Sequence, residues 1–222
     1  MKKLVVLILC GFLVLASLSC STWTRQQKGA AIGAAAGGAL GGLIGHKAGN
    51  TAIGTIMGAM VGGTAGAVIG KYMDDQAAEM ERDLAGAKIE RVGEGIKVTF
   101  DSGLLFDVDK ATLRPASQEQ LSKMAVILNK YKDTNILLEG HTDSTGTAEH
   151  NLELSRMRAD AVGSYLSGVG VSPARFTIKA YGKDQPIAPN ATAEGRQQNR
   201  RVEVAIFAND KLKEVAKSKA TG

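Results

Sequence analysis

The rhythm of apolar and polar positions changes repeatedly along the chain, and each change marks an element or a boundary. Residues 96–100 (IKVTF) alternate apolar and polar, the period of a strand with one buried face. Pro115 to Lys132 carries Leu121, Met124, Ala125 and Leu128 at helical spacing, and Pro115 suits a first turn. Ile136 to Leu138 is short and wholly apolar, as in a central strand covered on both sides. Leu152, Ser155, Ala159, Val162 and Leu166 trace the buried stripe of a second helix, which ends near Gly168 and Gly170. Phe176 to Tyr181 reads as a third main strand, and Val202, Val204 and Ile206 alternate in a fourth. Strands alternating with helices predict an α/β domain over 92–208, with helices packed on a sheet of parallel and antiparallel strands.

Upstream the rhythm is different. Residues 72–91 are charged and helical in pattern, which predicts a solvated connector bounded by Gly93 and Gly95. Before it, glycine recurs every four residues: Gly29, Gly33, Gly37, Gly41, Gly45 and Gly49, then Gly54, Gly58, Gly62, Gly66 and Gly70. The period slips at Gly49-Asn50, a turn signal. Residues four apart share a helix face, so each set makes a smooth groove for close helix approach. The rest is mostly alanine and aliphatic, unlike the polar composition of a flexible linker. Residues 29–71 therefore predict an antiparallel glycine-zipper hairpin with legs 29–48 and 51–71. Each leg is about as long as a membrane span, although Gly and Ala carry little transfer free energy and His46 and Lys47 make the turn polar. The expectation is membrane association, and the zipper also admits homo-oligomers.

The first residues set the compartment. Lys2 and Lys3, an apolar run from Leu4 to Ala16, and Ser17-Leu18-Ser19 form a secretory signal over 1–19, too short for a confident span. Cys20 then stands where a bacterial lipobox places its acylated cysteine, ahead of a polar spacer, 20–28; ordinary cleavage leaving a free thiol is the other reading. Cys10 leaves with the signal, so the mature chain has no cysteine pair and must be held by packing. The net charge of +5 falls by two lysines on cleavage and shows no basic stripe interleaved with aromatics, so nucleic acid is not an expected partner. The basic tail, 209–222, reads as a solvated end.

The candidate chemistry lies in GHTDSTG (140–146) and NLELSRMRA (151–159). Asp143 follows an apolar strand and Arg158 sits on the next helix. Asn151 and Arg158 are seven residues apart, and about 700° of rotation brings both to one face with Leu154 between them. A carboxylate and a guanidinium over one cleft suit a zwitterion. Taken singly, Asp143 could close an Asx turn or cap the helix, and Arg158 could be a solvated surface arginine. The two could also pair with each other while the cleft is empty.

These two motifs, with EGRQQNRRVEV at 194–204 in the right order, resemble the peptidoglycan-binding domain shared by OmpA and the peptidoglycan-associated lipoprotein Pal, over roughly residues 92–207. In that family the acid and the arginine grip the free amino-acid end of meso-diaminopimelate in the cell-wall peptide. The resemblance assigns Asp143, Arg158, Asn151 and Leu154 to the ligand, with Thr142 and Gly146 shaping the loop. Ser144 departs from the asparagine common there. Phe106-Asp107 resembles the loop of the opposite wall, so Asp107 joins the site, unless Asp107 and Asp109 are capping groups of the next helix. Arg196 is expected near the cleft as a second positive charge, and Arg200 and Arg201 as groups that orient the last strand or form structural ion pairs.

Other chemistries fit poorly. His141, Asp143 and His150 match no common zinc spacing, so neither metal nor cofactor is expected. Ser144 lacks a nucleophile elbow, and Asp143 beside Arg158 could not stay protonated as a glycosidase acid, so no enzyme activity is expected. The resemblance implies a lipoprotein at the periplasmic face of the outer membrane, held by lipid on Cys20 and binding peptidoglycan non-covalently. Ser21 is not the aspartate that retains lipoproteins at the inner membrane. The zipper legs contain no acid, unlike the proton-driven stator MotB. The alternative is a membrane-embedded assembly or pore component that oligomerises through the zipper, with the wall domain only positioning it.

Overall fold

A five-stranded sheet organises residues 50–221, the part of the chain that a computed structural model describes. Its strands are β1 (Ala87–Val92), β2 (Gly95–Asp101), β3 (Thr134–His141), β4 (Phe176–Gly182) and β5 (Arg201–Ala208), in the order β1-β2-β5-β3-β4. β3 and β4 are parallel and every other neighbouring pair is antiparallel. The predicted alternation builds the main core: Ile96, Val98 and Phe100, Ile136 and Leu138, and Val202, Val204 and Ile206 all point to one face. The predicted helices cover that face. Pro115–Lys130 buries Leu121, Met124, Ala125 and Leu128, and Ala148–Gly168 buries Ala159, Val162 and Leu166.

Leu152 leaves the predicted stripe and is half exposed. The helix backbone itself presses on the sheet end there, since a Cβ at Gly182 would stand 3.0 Å from the Leu152 nitrogen. Leu154 is buried instead. One turn on, a Cβ at Gly140 would collide with the Ser155 carbonyl, so strand and helix meet backbone to backbone. This close approach fixes where the helix face carrying Asn151 and Arg158 sits.

The zipper leg 51–71 is not one helix. α1 (Thr51–Ala59) lies on the opposite face of the sheet, where Ala52 and Ile56 pack on Leu137 and Ala205. α2 (Gly63–Asp83) packs on the main core through Ala65, Ile69, Met73, Ala77 and Met80. Between them the chain rounds the sheet beside the β1–β2 turn. There the Glu94 carboxylate accepts the Val61 and Gly62 amides at 2.8 Å each, and Gly62 and Gly63 take left-handed φ of 78° and 62°. A carboxylate at a helix N-terminus complements its dipole. Gly66 leaves room for that same carboxylate, which a Cβ would strike. Glycines at 62 and 66 thus serve a reversal and a buried acid rather than a groove for a second helix. Among the described residues no helix is long and apolar enough to cross a membrane. The leg 29–48, the signal, Cys20 and the spacer lie outside the described residues.

The predicted connector, 72–91, is likewise part of the domain. α2 continues through it to Asp83, and β1 pairs along β2 from Ala87↔Phe100 to Val92↔Gly95. The tail also folds back: the helix Asp210–Thr221 buries Leu212 and Ala216 in the main core. The folding unit therefore extends beyond 92–208 at both ends.

The face under α1 holds a buried polar cluster. Arg201 Nε donates to Glu203 at 2.5 Å, and Asn50, which caps α1, donates to both Glu203 oxygens at 3.2 and 3.3 Å. Arg201 is thus the structural ion-pair residue that the sequence suggested. Glu139 and His141 lie beside this pair, fully buried and without side-chain hydrogen bonds, His141 Nε2 standing 3.9 Å from Glu139 Oε2. Burial, with Arg201 and Lys97 adding to it, lowers His141 from 6.5 to about 2. Burial, followed by the charge of Glu203, raises Glu139 from 4.5 to about 7. The unfolded chain protonates His141 below pH 6.5 while the fold does not, so stability is lost as pH falls from 6.5 towards 2. Glu139 has the opposite sign, its contribution being lost as pH rises from 4.5 through 7. The two offset each other between pH 4.5 and 6.5, and below that the His141 contribution sets the direction, stability falling as pH falls. His141→Gln is expected to move the acid-unfolding midpoint, followed by circular dichroism, to lower pH. An unchanged midpoint would show that His141 does not drive acid unfolding.

Candidate functional site

The cleft begins where β3 leaves the sheet. The Thr142 amide donates to Gly182 O at 2.8 Å, the last tie to β4, and Asp143 follows. Asp143 Oδ1 accepts the Thr145 amide at 2.8 Å, which is the Asx turn weighed from sequence. The helix cap is Thr147, not Asp143; its hydroxyl accepts the His150 amide. α5 (Ala148–Gly168), the fifth helix of the described residues, then presents Asn151, Leu154 and Arg158 on one face, all buried. Asn151 Nδ2 donates to Thr145 O at 2.7 Å and so ties helix to loop. Gly146, with φ of 88°, and Thr142, whose buried hydroxyl is unpartnered, complete this wall.

Arg158 is the unusual group. It is 4% exposed, and no carboxylate among the described residues lies within salt-bridge distance. Its Nε donates to Lys110 O at 2.9 Å, and its guanidinium carbon lies 5.3 Å from the centre of the Phe106 ring. Burial lowers its pKa, with Asp109 opposing, yet a guanidinium stays charged at any physiological pH. The result is a cation with a fixed position, a buried setting and no acid within salt-bridge distance.

The opposite wall is α3 (Ser102–Leu105) and the turn that follows it. Asp107 lines the cleft, half exposed, with Arg114 at 3.2 Å and Lys110 at 3.9 Å. Asp109, at φ of 56°, meets His150 Nε2 at 2.8 Å. Neither caps the next helix, α4 (Pro115–Lys130), whose N-cap position is Arg114 without a side-chain bond. The capping alternative for these two acids therefore falls.

The third wall corrects one expectation. Arg196 does not line the cleft; its Nη1 donates to Asn190 O at 2.9 Å and to Ala191 O. The short helix α6 (Ala193–Asn199) is pinned by buried Asn199, which bonds Ile187 and Ala188, and by Gly195 lying directly on the Pro189 carbonyl. That orientation turns Arg196 to the 189–191 loop and leaves Arg200 facing the cleft. Arg200 Nη1 pairs with Asp143 Oδ2 at 2.5 Å, so the acid's partner is Arg200 and not Arg158. Burial pushes the Asp143 carboxyl up, but the Thr145 amide and Arg200 outweigh it and hold it below its ordinary value. Arg200 is the extended C-cap of α6 directly before β5, and alternation along that extended backbone sends Arg200 to the cleft and Arg201 to the buried face. That was the available signal for Arg200.

Together these walls enclose a cleft of about 600 Å³, with Arg158 and Asp143 lining it and Phe106 and Leu154 as its apolar sides. Among the described residues His141, Asp143 and His150 do not come together as a group. Glu139, His141 and Glu203 do come together, within 4.8 Å. That trio is poorly suited to a cation, because Glu203 is committed to Arg201 and Asn50, and the charges of Arg201 and Lys97 bear on His141.

A model of the OmpA family matches residues 105–200, and a model of the YMGG-like Gly-zipper matches residues 1–74. The chain is 39% identical over 140 residues to the probable lipoprotein YiaD of Escherichia coli (strain K12), covering 62% of this chain and 64% of that protein. It is 34% identical over 131 residues to the peptidoglycan-associated lipoprotein of Mesorhizobium japonicum, covering 59% of this chain and 78% of the relative. The match thus spans just under two thirds of the first relative's length and more of the second's. Among solved structures, the cell wall anchor of the T6SS from Pseudomonas aeruginosa aligns with a TM-score of 0.52 at 30% identity, over 64% of this chain and 97% of that one.

Proposed function

This chain belongs to the OmpA family, and on that premise we propose that its cleft binds peptidoglycan through the free amino-acid end of meso-diaminopimelate. Arg158 takes the carboxylate and Asp143 the ammonium, while Phe106 and Leu154 border the aliphatic arm and Asn151, Thr142 and Asp107 shape the walls. The observation that carries this reading is the buried, acid-free guanidinium of Arg158 in the same cleft as an ionised Asp143. A cation desolvated without an acid partner costs stability, and a ligand carboxylate is what offsets that cost. The relatives' names point the same way: one is called a peptidoglycan-associated lipoprotein and one structure a cell wall anchor.

Asp143 held below the ordinary carboxyl range is a poor proton donor, which favours a binding module over a hydrolase. With lipid on Cys20, the domain would tie the outer membrane to the wall from its periplasmic face. Tethering presents the cleft to many identical stem peptides, so a modest affinity suffices.

The test is retention of the full chain on purified sacculi. Sacculi with meso-diaminopimelate should retain it, and free meso-diaminopimelate should release it. Sacculi with L-lysine at that position lack the distal carboxylate and should retain little. Equal retention on both wall types would overturn the assignment.

A further inference from the structure

The cleft holds more positive charge than one zwitterionic end can answer. Arg158 has no acid partner, and Asp143 is shared with Arg200. The other two acids of the cleft are Asp107, which pairs with Arg114 and Lys110, and Asp109, hydrogen-bonded to His150, an imidazole that carries charge only when protonated. Four cations (Arg158, Arg200, Arg114 and Lys110) against three acids (Asp107, Asp109 and Asp143) leave a net charge of one, which a ligand with two carboxylates and one ammonium would match.

Arg200 is built to be that second carboxylate receptor. Its Nη1 bonds Asp143 and its Nη2 bonds Gln197 Oε1. A guanidinium has five N–H donors, so most of its capacity stays open along the cleft wall. Gln197 Nε2 is in turn held by Asp101 Oδ2 at 2.5 Å, and Asp101 Oδ1 accepts the Gly103 amide at 2.6 Å. The relay Asp101–Gln197–Arg200 fixes the plane of the guanidinium before any ligand arrives. When a ligand ammonium reaches Asp143, it takes over part of the negative charge that held Arg200, and Arg200 is left facing the cleft with its charge less fully answered.

We propose that Arg200 recognises a second, main-chain carboxylate of the stem peptide, so that the cleft distinguishes peptides with that carboxylate free from peptides in which it is amidated. This rests on the proposed binding of the stem peptide in the cleft. Two carboxylates could supply the contact: that of the diaminopimelate main chain, or the α-carboxylate of the preceding D-glutamate.

The experiment is calorimetric titration of the full chain in detergent with three synthetic stem peptides. All keep the zwitterionic end; one has both main-chain carboxylates free, and each of the others has one of them amidated. The wild type should bind one amidated peptide roughly tenfold more weakly, as loss of a charge-assisted hydrogen bond implies, and which peptide it is names the source. In Arg200→Gln that discrimination should vanish, and Arg200→Lys should keep part of it. Arg158→Gln should weaken all three equally and preserve the ratio. Equal binding of the three peptides by the wild type, or discrimination that survives in Arg200→Gln, would overturn the proposal. If the wild type bound none of them, the stem-peptide reading itself would be wrong, and this inference would fall with it.

Discussion

Arg158→Ala is expected to abolish retention on sacculi while leaving the domain folded at least as stably as the wild type. Removing one partner of a desolvated charge pair costs about 2–5 kcal/mol, a loss of thirtyfold or more, and enough to erase a modest affinity. The fold loses little in exchange: one hydrogen bond to Lys110 O and a cation–π contact with Phe106. It also sheds a buried cation without an acid partner, which is a net cost in the unliganded protein. Binding lost with melting temperature unchanged or raised is the signature of a group kept for its ligand rather than for the fold. Arg158→Lys should rescue poorly, because an ammonium lacks the planar fork that grips a carboxylate. Asp143→Ala should also lose binding, but it opens the Thr145 turn and frees Arg200, so its melting temperature should fall. Sacculus retention and thermal melting on the same preparations decide the matter; an Arg158→Ala protein that binds like wild type would remove the site.

A fragment of residues 92–208 is expected not to fold, whereas 50–222 should. The short fragment lacks Ile69, Met73, Met80 and Leu84, all buried in the main core. At about 1.5–3 kcal/mol for each buried side chain of this size, their loss is worth about 6–12 kcal/mol. That is comparable with the entire stability of an ordinary domain, about 5–15 kcal/mol. It also strips α1 from the other face, uncovering Leu137, Ala205 and the Glu139–His141 cluster. Amide chemical-shift dispersion and a cooperative thermal transition would report the outcome. A well-dispersed spectrum from the short fragment would show that α1, α2 and β1 are ornaments rather than parts of the core.

The elements legible in sequence share one property: a strong period. β2, β3 and β5 and the two long helices after them announce themselves because each sets apolar residues against polar ones at a single spacing. Ile136–Leu138 read as central for a sound reason, since Ile136 and Leu138 face the main core while Leu137 is covered by α1. What stayed hidden lies where two patterns overlap. The glycine period runs through Gly62, Gly66 and Gly70 and masks a second stripe, Ile69, Met73, Ala77 and Met80, that belongs to the sheet. β1 is an edge strand of sequence AKIERV, whose three charged residues blur its alternation. The C-terminal helix buries only Leu212 and Ala216 among many lysines. In the cleft, Asp143 was visible as the acid after a strand and Arg158 from the helix face it shares with Asn151, whereas choosing Arg200 over Arg196 needed, beyond the alternation of Arg200 and Arg201, the packing of Asn199 and Gly195.

The route of the chain around the sheet also sets how a mechanical load would enter the domain. A pull from the N-terminal side arrives at Asn50, whose side chain is hydrogen-bonded to Glu203 on β5. β5 is the middle strand, flanked by β2 and β3, so the force meets a paired interior strand rather than a free edge. β3, its neighbour, ends beside Asp143, and β5 itself begins directly after Arg200. Tension applied at one end of the domain and held at the cleft would run through this pair of strands, across the Glu203 clamp, and largely bypass the peripheral hairpin of β1. The arrangement is that of a strain-relief fitting: the cord is clamped to the frame of the domain before it reaches the working end.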